Sequence, residues 1–181
     1  MKSVYIIAIL GCLLASGCNS EPSLQKYFVE KTENKNFIAL DVSPSVLNID
    51  MKKLTPEEKK SVESFEKVNI LAFRIDENNK TEFAAERENV AKILKDEKYQ
   101  QLMKFGKGKE GGSISFVGSD EHIEEFVLYA NRNDSGFAVI RILGNDMNPT
   151  DIMNVMSVLK QSDINMDQLK PLQDMMMSGA K

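Results

Sequence analysis

Few side chains in this sequence have the types and spacing that acid and base catalysis requires. The one histidine among the 181 residues is His122, so a zinc site with several imidazoles is excluded and a histidine-dependent triad is confined to this position. His122 lies between two predicted strands, where we expect a solvated turn residue. Glu124 and Glu125 cannot share one site, because adjacent strand residues point to opposite faces. We predict no catalytic residues and a protein that is not an enzyme.

A glycine-rich stretch, residues 106–111, matches the dinucleotide-binding pattern G-x-G-x-x-G in form. In that motif the glycines follow a strand and open a helix whose N-terminus receives the phosphate. Here a predicted helix precedes the glycines and a predicted strand follows them, so the context favours a flexible loop. The same loop holds Lys104, Lys107 and Lys109, but the formal net charge of the chain is −4 at pH 7, which opposes binding to phosphate backbones. We predict no nucleic-acid partner.

Two patterns point towards metal ions, and both are incomplete. Residues 163–174 space oxygen ligands as a calcium loop does, but Gln168 stands where the sharp bend needs glycine, and Pro171 interrupts the loop. The 10 methionines offer soft thioether ligands for copper. Without several histidines or a free thiol, they are better explained as flexible filling of the core and tail. We predict no metal and no cofactor.

The strongest signal in the chain lies at its N-terminus. A lysine precedes an apolar run over 4–14, and a stretch of small residues ending in Cys18 follows, as in a bacterial lipoprotein signal that ends in a lipobox. The apolar run is shorter than the ~20 residues that a membrane-spanning helix needs. We predict a signal peptide over 1–17 and an acylated Cys18, with Cys12 as the competing site. Acyl chains on Cys18 would anchor the protein stably, since each buried methylene contributes ~0.8 kcal/mol.

Cleavage before Cys18 defines the predicted organisation of the mature chain. Removing 17 of the 181 residues leaves 164, which suits one domain with a hydrophobic core. Residues 18–22 form a lipidated cysteine and short tether, 23–170 a single domain and 171–181 a frayed tail. Extended, the tether reaches roughly 15 Å, so the domain sits close to the headgroups. Glu21 is the one acid directly after Cys18, which favours the outer membrane facing the periplasm over surface display.

Hydrophobic periodicity and capping residues predict an α+β fold. Helix starts are predicted at Ser23, Pro44, Thr55, Thr81 and Pro149. The fourth helix continues or restarts through Tyr99, Leu102 and Met103. Apolar runs predict five strands, over 37–42, 68–75, 113–117, 123–130 and 137–143. The last three form an antiparallel meander, and we expect a five-strand, largely antiparallel sheet with helices packed on one face.

Alternation along the strands sorts their residues into two sets. One set is purely apolar, and we expect the helices to cover it: Ile38, Leu40, Val42, Leu71, Phe73, Ile75, Ile114, Phe116, Phe126, Leu128, Ala138, Ile140 and Ile142. The other set is mixed, and burying an unpaired ion of this set beneath a helix costs several kcal/mol. In the expected register Val127 is opposite Arg141 and Ser115 is opposite Glu125. Glu125 is then diagonal to Arg141 and within reach of an ion pair.

The mixed face has a structural and a functional interpretation. It is the solvated outer face of an open sheet, or it is an exposed interaction face, since it is too apolar to be idle. In the second interpretation it binds a partner protein, a second copy of the chain or an apolar ligand. The candidate interaction residues are Asp41, Arg74, Glu125, Val127, Tyr129, Val139 and Arg141.

Several segments together resemble a known family. They are the lipobox, the short tether, residues 37–43 followed by a brief helix, residues 98–103, three strands and a closing helix. This pattern resembles the family called domain of unknown function four-two-five-two, small envelope lipoproteins of one Gram-negative phylum. The resemblance spans nearly the whole mature chain and implies a location in the cell envelope. It carries no catalytic motif.

The function that we expect is a non-catalytic binding, sensing or interaction module in the envelope. Its expected partners are the lipid bilayer, through acylated Cys18, and an envelope protein or a second copy of the chain. One alternative is a small-molecule or metal carrier, which needs a closed cavity at the mixed face. Another is a carboxylate-dependent hydrolase, which needs a deep pocket with converging acids.

Overall fold

A computed structural model describes residues 22–43, 49–107 and 110–161. Within these ranges the α-helices are α1 (Leu24–Lys31), α2 (Pro56–Glu63), α3 (Lys80–Ile93) and α4 (Pro149–Gln161), and a short 3-10 helix covers Met51–Lys53. The strands are β1 (Phe37–Val42), β2 (Phe65–Arg74), β3 (Gln100–Lys107), β4 (Glu110–Ser119), β5 (His122–Arg132) and β6 (Gly136–Met147). The predicted α+β class is confirmed.

The strands form one open antiparallel sheet in the order β1-β2-β6-β5-β4-β3. The predicted C-terminal meander is confirmed as β4, β5 and β6, which pair in succession. The predicted count of five strands is wrong, because β3 is a sixth strand at one edge of the sheet. β1 forms the other edge and pairs with β2.

Capping side chains fix the starts of α1 and α2 where the sequence predicted them, whereas α3 begins at Lys80 without a side-chain cap. Ser23 accepts a hydrogen bond from the Lys26 amide at 3.3 Å and so caps α1. At α2, the Thr55 hydroxyl accepts from the Glu58 amide at 3.2 Å and the Glu58 carboxylate accepts from the Thr55 amide at 2.9 Å, a reciprocal capping box. These bonds pair amides that an uncapped helix leaves without a partner.

Strand β3 corrects the prediction that the fourth helix continues or restarts through Leu102 and Met103. Helix α3 ends at Ile93, and all eight residues of β3 are exposed. The predicted flexible glycine loop instead closes a β3–β4 hairpin, in which Gly106 pairs with Gly111. The φ angles of these glycines are 92° and 140°, and a Cβ on Gly106 would lie 2.3 Å from the Gly111 Cα. Glycine is therefore required where the hairpin backbones approach.

Helices pack on both faces of the sheet, so the prediction that they pack on one face is wrong. Helices α1 and α3 lie on the mixed face, where they contribute Leu24, Tyr27, Phe28, Phe83, Val90 and Ile93 to a core with Phe37, Leu71, Phe73, Val127, Tyr129, Phe137 and Val139. Helix α4 lies on the apolar face near one end of the strands, in a second cluster with Phe65, Phe116, Ile123, Phe126, Met147 and Ile152. We call these surfaces the covered face and the apolar face. Strand β2 presents the sides opposite to those predicted: Leu71, Phe73 and Ile75 of the predicted apolar set belong to the covered face, whereas Arg74 of the mixed set lies on the other side. The antiparallel register is the reason, because Phe73 pairs with Phe37 and Leu71 pairs with Ala39.

Several predictions concern residues outside the described ranges. They include the signal peptide over 1–17, Cys18, the helix start at Pro44, the calcium-like loop over 163–174 and the tail over 171–181. Among the described residues, none of the helices has the length and apolar character needed to cross a membrane.

Candidate functional site

The seven candidate interaction residues do not form one exposed surface. Five of them are buried: Glu125, Arg141, Val127, Tyr129 and Val139. The last three lie beneath α1 and α3. Asp41 and Arg74 are exposed. Asp41 accepts from the Asn69 amide group and lies 3.1 Å from the Lys67 ammonium. The expectation that the mixed face is open is therefore wrong at five of the seven positions.

The predicted ion pair between Glu125 and Arg141 is confirmed, and it lies on the covered face. Arg141 donates from Nε to Glu125 Oε1 at 2.6 Å and from Nη2 to Oε2 at 3.0 Å. The guanidinium carbon lies 5.5 Å from the centre of the Phe28 ring on α1. This two-bond geometry, with a cation–π contact, compensates both charges. The pair can therefore stay beneath a helix, contrary to our argument that its charges would keep the face open.

The register around this ion pair agrees with the prediction on β6 and differs on β4. Val127 is opposite Arg141, as expected. Ser115 is opposite Val127, and Val117 is opposite Glu125, so the pairing differs by two residues from the expected one. The bulge between Val117 and Gly118, near the hairpin turn, accounts for one residue of this difference.

A second buried carboxylate, Glu86 on α3, joins α1 to α3. It accepts from the Tyr27 hydroxyl at 2.8 Å and from the Lys31 ammonium at 2.5 Å. Burial alone would raise the pKa of Glu86, but the hydrogen bonds from Lys31, Tyr27 and Asn89 outweigh burial and lower it. The third buried carboxylate among the described residues, Asp151, accepts from the Ser61 hydroxyl at 2.6 Å. All three acids are thus engaged in bonds between elements of the fold.

His122 is exposed at the start of β5, in agreement with a solvated turn residue. Its Nδ1 forms a hydrogen bond with the exposed carboxylate of Asp146. That hydrogen bond and the charge of Asp146 raise the pKa of His122. Within the described ranges, no three His, Cys, Asp or Glu side chains lie close enough together to hold a metal ion.

The apolar face carries an unbroken row of aliphatic side chains across all six strands. Successive strand pairings place these residues side by side, from one sheet edge to the other: Leu40, Ile70, Ile140, Leu128, Ile114 and Met103. We call this set the apolar row. Ile70 is buried, four members are half-buried, and Met103 at the edge is 53% exposed.

A neighbouring row on the same face consists mostly of small residues. It runs through Ile38, Ala72, Ala138, Ala130, Gly112 and Phe105. A Cβ on Gly112 would lie 2.7 Å from Cζ of Phe105, so glycine leaves room for the Phe105 ring. The small side chains make a shallow channel between Ile38 and Phe105, bordered by the apolar row.

The edge strand adds two exposed apolar side chains to this surface. Met103 and Phe105 are 53% and 48% exposed, and Leu102, which is 44% exposed, lies at the bulge between Gln101 and Met103. Sequence patterns did not reveal this surface, because the spacing of Leu102 and Met103 predicted a helix. The signal that could have indicated a hairpin is the glycine-rich stretch, Gly106 to Gly111, at the end of this segment.

On the opposite side of the sheet, a cleft of about 810 Å³ lies between α3 and the strands β3, β4 and β5. We call it the sheet cleft. Helices α1 and α3 pack over β1, β2, β5 and β6, and the sheet continues beyond them into β4 and β3. Side chains of Ser113, Ser115 and Tyr129 line its floor, and Arg87 and Lys95 lie on its helical side. Of these residues, Tyr129 alone was among the candidate interaction residues predicted from the sequence.

Comparisons with known proteins identify one family. The model of a domain of unknown function (DUF4252) matches residues 27–155. These residues include all six strands and reach from α1 into α4. No curated protein and no solved structure matches the chain.

Proposed function

We propose, from the premise that this chain belongs to the family of the domain of unknown function DUF4252, that it is a bacterial envelope lipoprotein that binds a protein partner without catalysing a reaction. Acylated Cys18 anchors it to the outer membrane, facing the periplasm. The partner contacts the apolar face at its β3 edge. This surface replaces the mixed face as the candidate for interaction.

One observation carries the proposal: the apolar row ends in an exposed edge strand. A scattered exposed side chain needs no explanation, but a contiguous apolar patch on a soluble domain is typical of an interaction site. Here the half-buried row from Leu40 to Ile114 leads directly to Met103. Burying a Met or Phe side chain completely contributes about 1.5–3 kcal/mol. Met103 and Phe105 are each about half exposed, so burying the rest of both would contribute roughly 1.5–3 kcal/mol in total, and the half-buried row beside them adds further apolar contact.

The partner that fits this surface has an apolar contact area and acidic side chains around it. Lys107 alternates with Met103 and Phe105 on this side of β3, whereas Lys104 lies on the opposite side, across from Ser113. A second copy of the chain would bring the same lysine to the interface, and like charges brought together oppose association. We therefore favour a different protein over a homodimer.

The tether determines which end of the domain is near the membrane. The Leu24 amide at the start of α1 donates to the Tyr99 hydroxyl at 3.1 Å, so the first helical turn is fixed beside the start of β3. An extended tether over 18–22 spans roughly 15–18 Å. Anchoring at Cys18 would keep this end of the domain close to the headgroups.

Site-specific photocrosslinking in intact cells tests the proposed surface. A photoreactive amino acid at Met103 is compared with the same group at Val29, which is apolar and 73% exposed but lies on α1. We expect a discrete adduct from position 103 and none from position 29. Ala130→Lys should abolish the adduct, because Ala130 is exposed within the small-residue channel and a charge there opposes apolar contact.

Ala85→Lys is the matched control, because Ala85 is exposed on α3 away from this surface. It should leave the adduct unchanged. Equal adducts from positions 103 and 29, or an adduct that survives Ala130→Lys, would contradict the proposal. An adduct of twice the chain mass would assign the surface to a homodimer.

Mass spectrometry of the purified protein tests the anchor separately. We expect a mature chain that begins at Cys18 and carries the added mass of acyl chains. Cys18→Ala should abolish acylation and release the protein from the membrane fraction. An unmodified, freely soluble wild-type chain would overturn the anchored location and leave the crosslinking result unaffected.

A further inference from the structure

The sheet cleft is a second surface whose chemistry differs from that of the apolar face. Its floor is the part of the covered face that extends beyond α1 and α3, on strands β3, β4 and β5. Its volume of about 810 Å³ lies within the ~300–1,000 Å³ typical of small-molecule sites. The site goes beyond the proposed function, because it faces the other side of the sheet.

Cross-strand pairing determines which side chains form the floor. Lys104 is opposite Ser113, which is opposite Tyr129. In the next row Gly106 is opposite Gly111, which is opposite Asn131. Direct neighbours in such rows have Cβ atoms about 4.5–5.5 Å apart. The two glycines add no side chains, so the cleft stays open above Asn131.

The polar groups of the floor lack partners in the described parts of the chain. Neither the hydroxyls of Ser113 and Ser115 nor that of Tyr129 forms a hydrogen bond there. Asn131 donates from its amide to the Gly111 carbonyl at 3.2 Å, while its Oδ1 is buried without a partner. An unpaired buried polar atom costs about 1–3 kcal/mol. Asn131 Oδ1 is too deeply buried to meet a ligand, but the hydroxyls of Ser113 and Tyr129 line the cleft, and a ligand with hydroxyl groups could pair with them.

Charged side chains surround this floor. Three cations, Arg87, Lys95 and Lys104, and two carboxylates, Glu88 and Glu110, line the cleft. Arg87 donates to Asn133 Oδ1 at 2.9 Å, and Glu110 accepts from the Asn133 amide at 3.2 Å. Arg87 and Glu110 are thus both partly engaged with Asn133 at the rim of the cleft. The excess of positive charge favours a ligand with one carboxylate.

We infer that the sheet cleft binds a saccharide of one or two rings that carries a carboxylate, with its hydroxyls on Ser113 and Tyr129 and its carboxylate towards Lys104. A peptide fits the cleft less well. The main chains of β4 and β5 pair with each other along their length, so the floor offers a peptide backbone no hydrogen-bonding ladder. Side-chain hydroxyls and amides at regular spacing suit the hydroxyls of a sugar ring instead.

The protonation state of the Tyr129 hydroxyl supports its role as a hydrogen-bond donor to the ligand. Burial raises the pKa of the Tyr129 hydroxyl to about 12, although the nearby charge of Arg87 opposes the shift. Tyr129 therefore stays protonated at neutral pH and can donate to a sugar oxygen. Lys104 and Lys95 form no ion pair within the described ranges, so both can meet an anion.

Saturation-transfer NMR on the full protein in lipid nanodiscs tests this inference. The probes are glucuronate, galacturonate and N-acetylneuraminate, with glucose as the neutral sugar and acetate as the simple anion. We expect saturation transfer to at least one acidic sugar and a weaker signal from glucose and acetate. Tyr129→Phe and Ser113→Ala should each weaken binding of that sugar about fivefold, since each removes one hydrogen bond.

Two further variants locate the ligand. Lys104→Gln should remove the preference for the acidic sugar over glucose, whereas Ser119→Ala, at the far end of β4, should change nothing. Thermal melting confirms that each variant is folded. Absence of transfer to all three acidic sugars, or unchanged affinity in folded Tyr129→Phe and Ser113→Ala, would overturn the inference. Neither result bears on the photocrosslinks from Met103.

Discussion

The covered face and the apolar face of the sheet differ in composition and in exposure. The simplest expectation is that the face with charges is the more exposed one, and the structure shows the reverse. The covered face carries Glu125 and Arg141, yet both are buried. The apolar face carries no charge in its row from Leu40 to Met103, yet most of that row is only half-buried. Polarity alone did not decide which face the helices cover.

Connectivity and local pairing explain the difference. Helix α1 leads into β1 and α3 follows β2, and both helices return over the same side of the sheet. The buried charges of Glu125 and Arg141 on that side are tolerated because they meet each other in good geometry. A charge is therefore a weak argument for an exposed face when a partner lies diagonally across two strands.

Removing one member of the buried ion pair should have the largest effect on stability. Arg141→Met leaves the Glu125 carboxylate buried without its cation, which typically costs 3–5 kcal/mol, so we expect a loss of about 4 kcal/mol in the free energy of unfolding. Urea denaturation measures this loss. Adding Glu125→Leu should recover most of it, because an apolar pair needs no charge compensation. A loss below about 1 kcal/mol in the single variant would show that the pair is solvated.

Matched truncations on the two faces should differ in cost. Leu71 on the covered face is 0% exposed, and Leu71→Ala should cost about 3 kcal/mol through lost transfer energy and a cavity. Leu128 on the apolar row is half-buried, so Leu128→Ala should cost about 1 kcal/mol. Denaturation midpoints of the two variants make the comparison. Equal losses would mean that the apolar row is as well packed as the core.

A smaller effect, which depends on pH, should come from the buried carboxylate of Glu86, which joins α1 to α3 over the covered face. The pKa of Glu86 is lowered in the folded state, so its stabilisation is present above the unfolded pKa and is lost as pH falls through the folded pKa. Glu86→Gln should cost about 2 kcal/mol near neutral pH. The difference from wild type should shrink as the solution is acidified below the usual range of a glutamate pKa. Thermal melts across that range test this, with Glu88→Gln as the control on the exposed side of α3.

Sequence patterns predicted most of the elements, because the local signals were strong. Thr55 and Glu58 specify a capping box by type and spacing, and the structure contains it. β1 has its predicted bounds, Phe37–Val42, because Asp41 alone interrupts its run of apolar residues. The Glu125–Arg141 pair followed from strand alternation alone.

Strand β3 was missed for a physical reason. An edge strand that is exposed throughout has no buried face, so its residues show no strong alternation of apolar and polar types. Tyr99, Leu102 and Met103 are also spaced as on a helix face. The sheet cleft was not predicted either, because its floor depends on β3 and on small residues such as Ser113 that carry no sequence signature. The apolar row needed the register of all six strands.

The hydrogen bond from Leu24 to Tyr99 also determines where a mechanical pull would enter the fold. Tension along the N-terminal chain reaches α1 at Leu24 and passes through this bond to Tyr99, immediately before β3. β3 and β1 each have one neighbouring strand, whereas β2, β4, β5 and β6 each have two. The covalent chain carries a pull from α1 into β1, and the bond to Tyr99 carries part of it towards β3, so both strands that receive the pull are edge strands. If Cys18 is anchored as proposed, a stretched tether would load the two strands that the sheet holds least firmly.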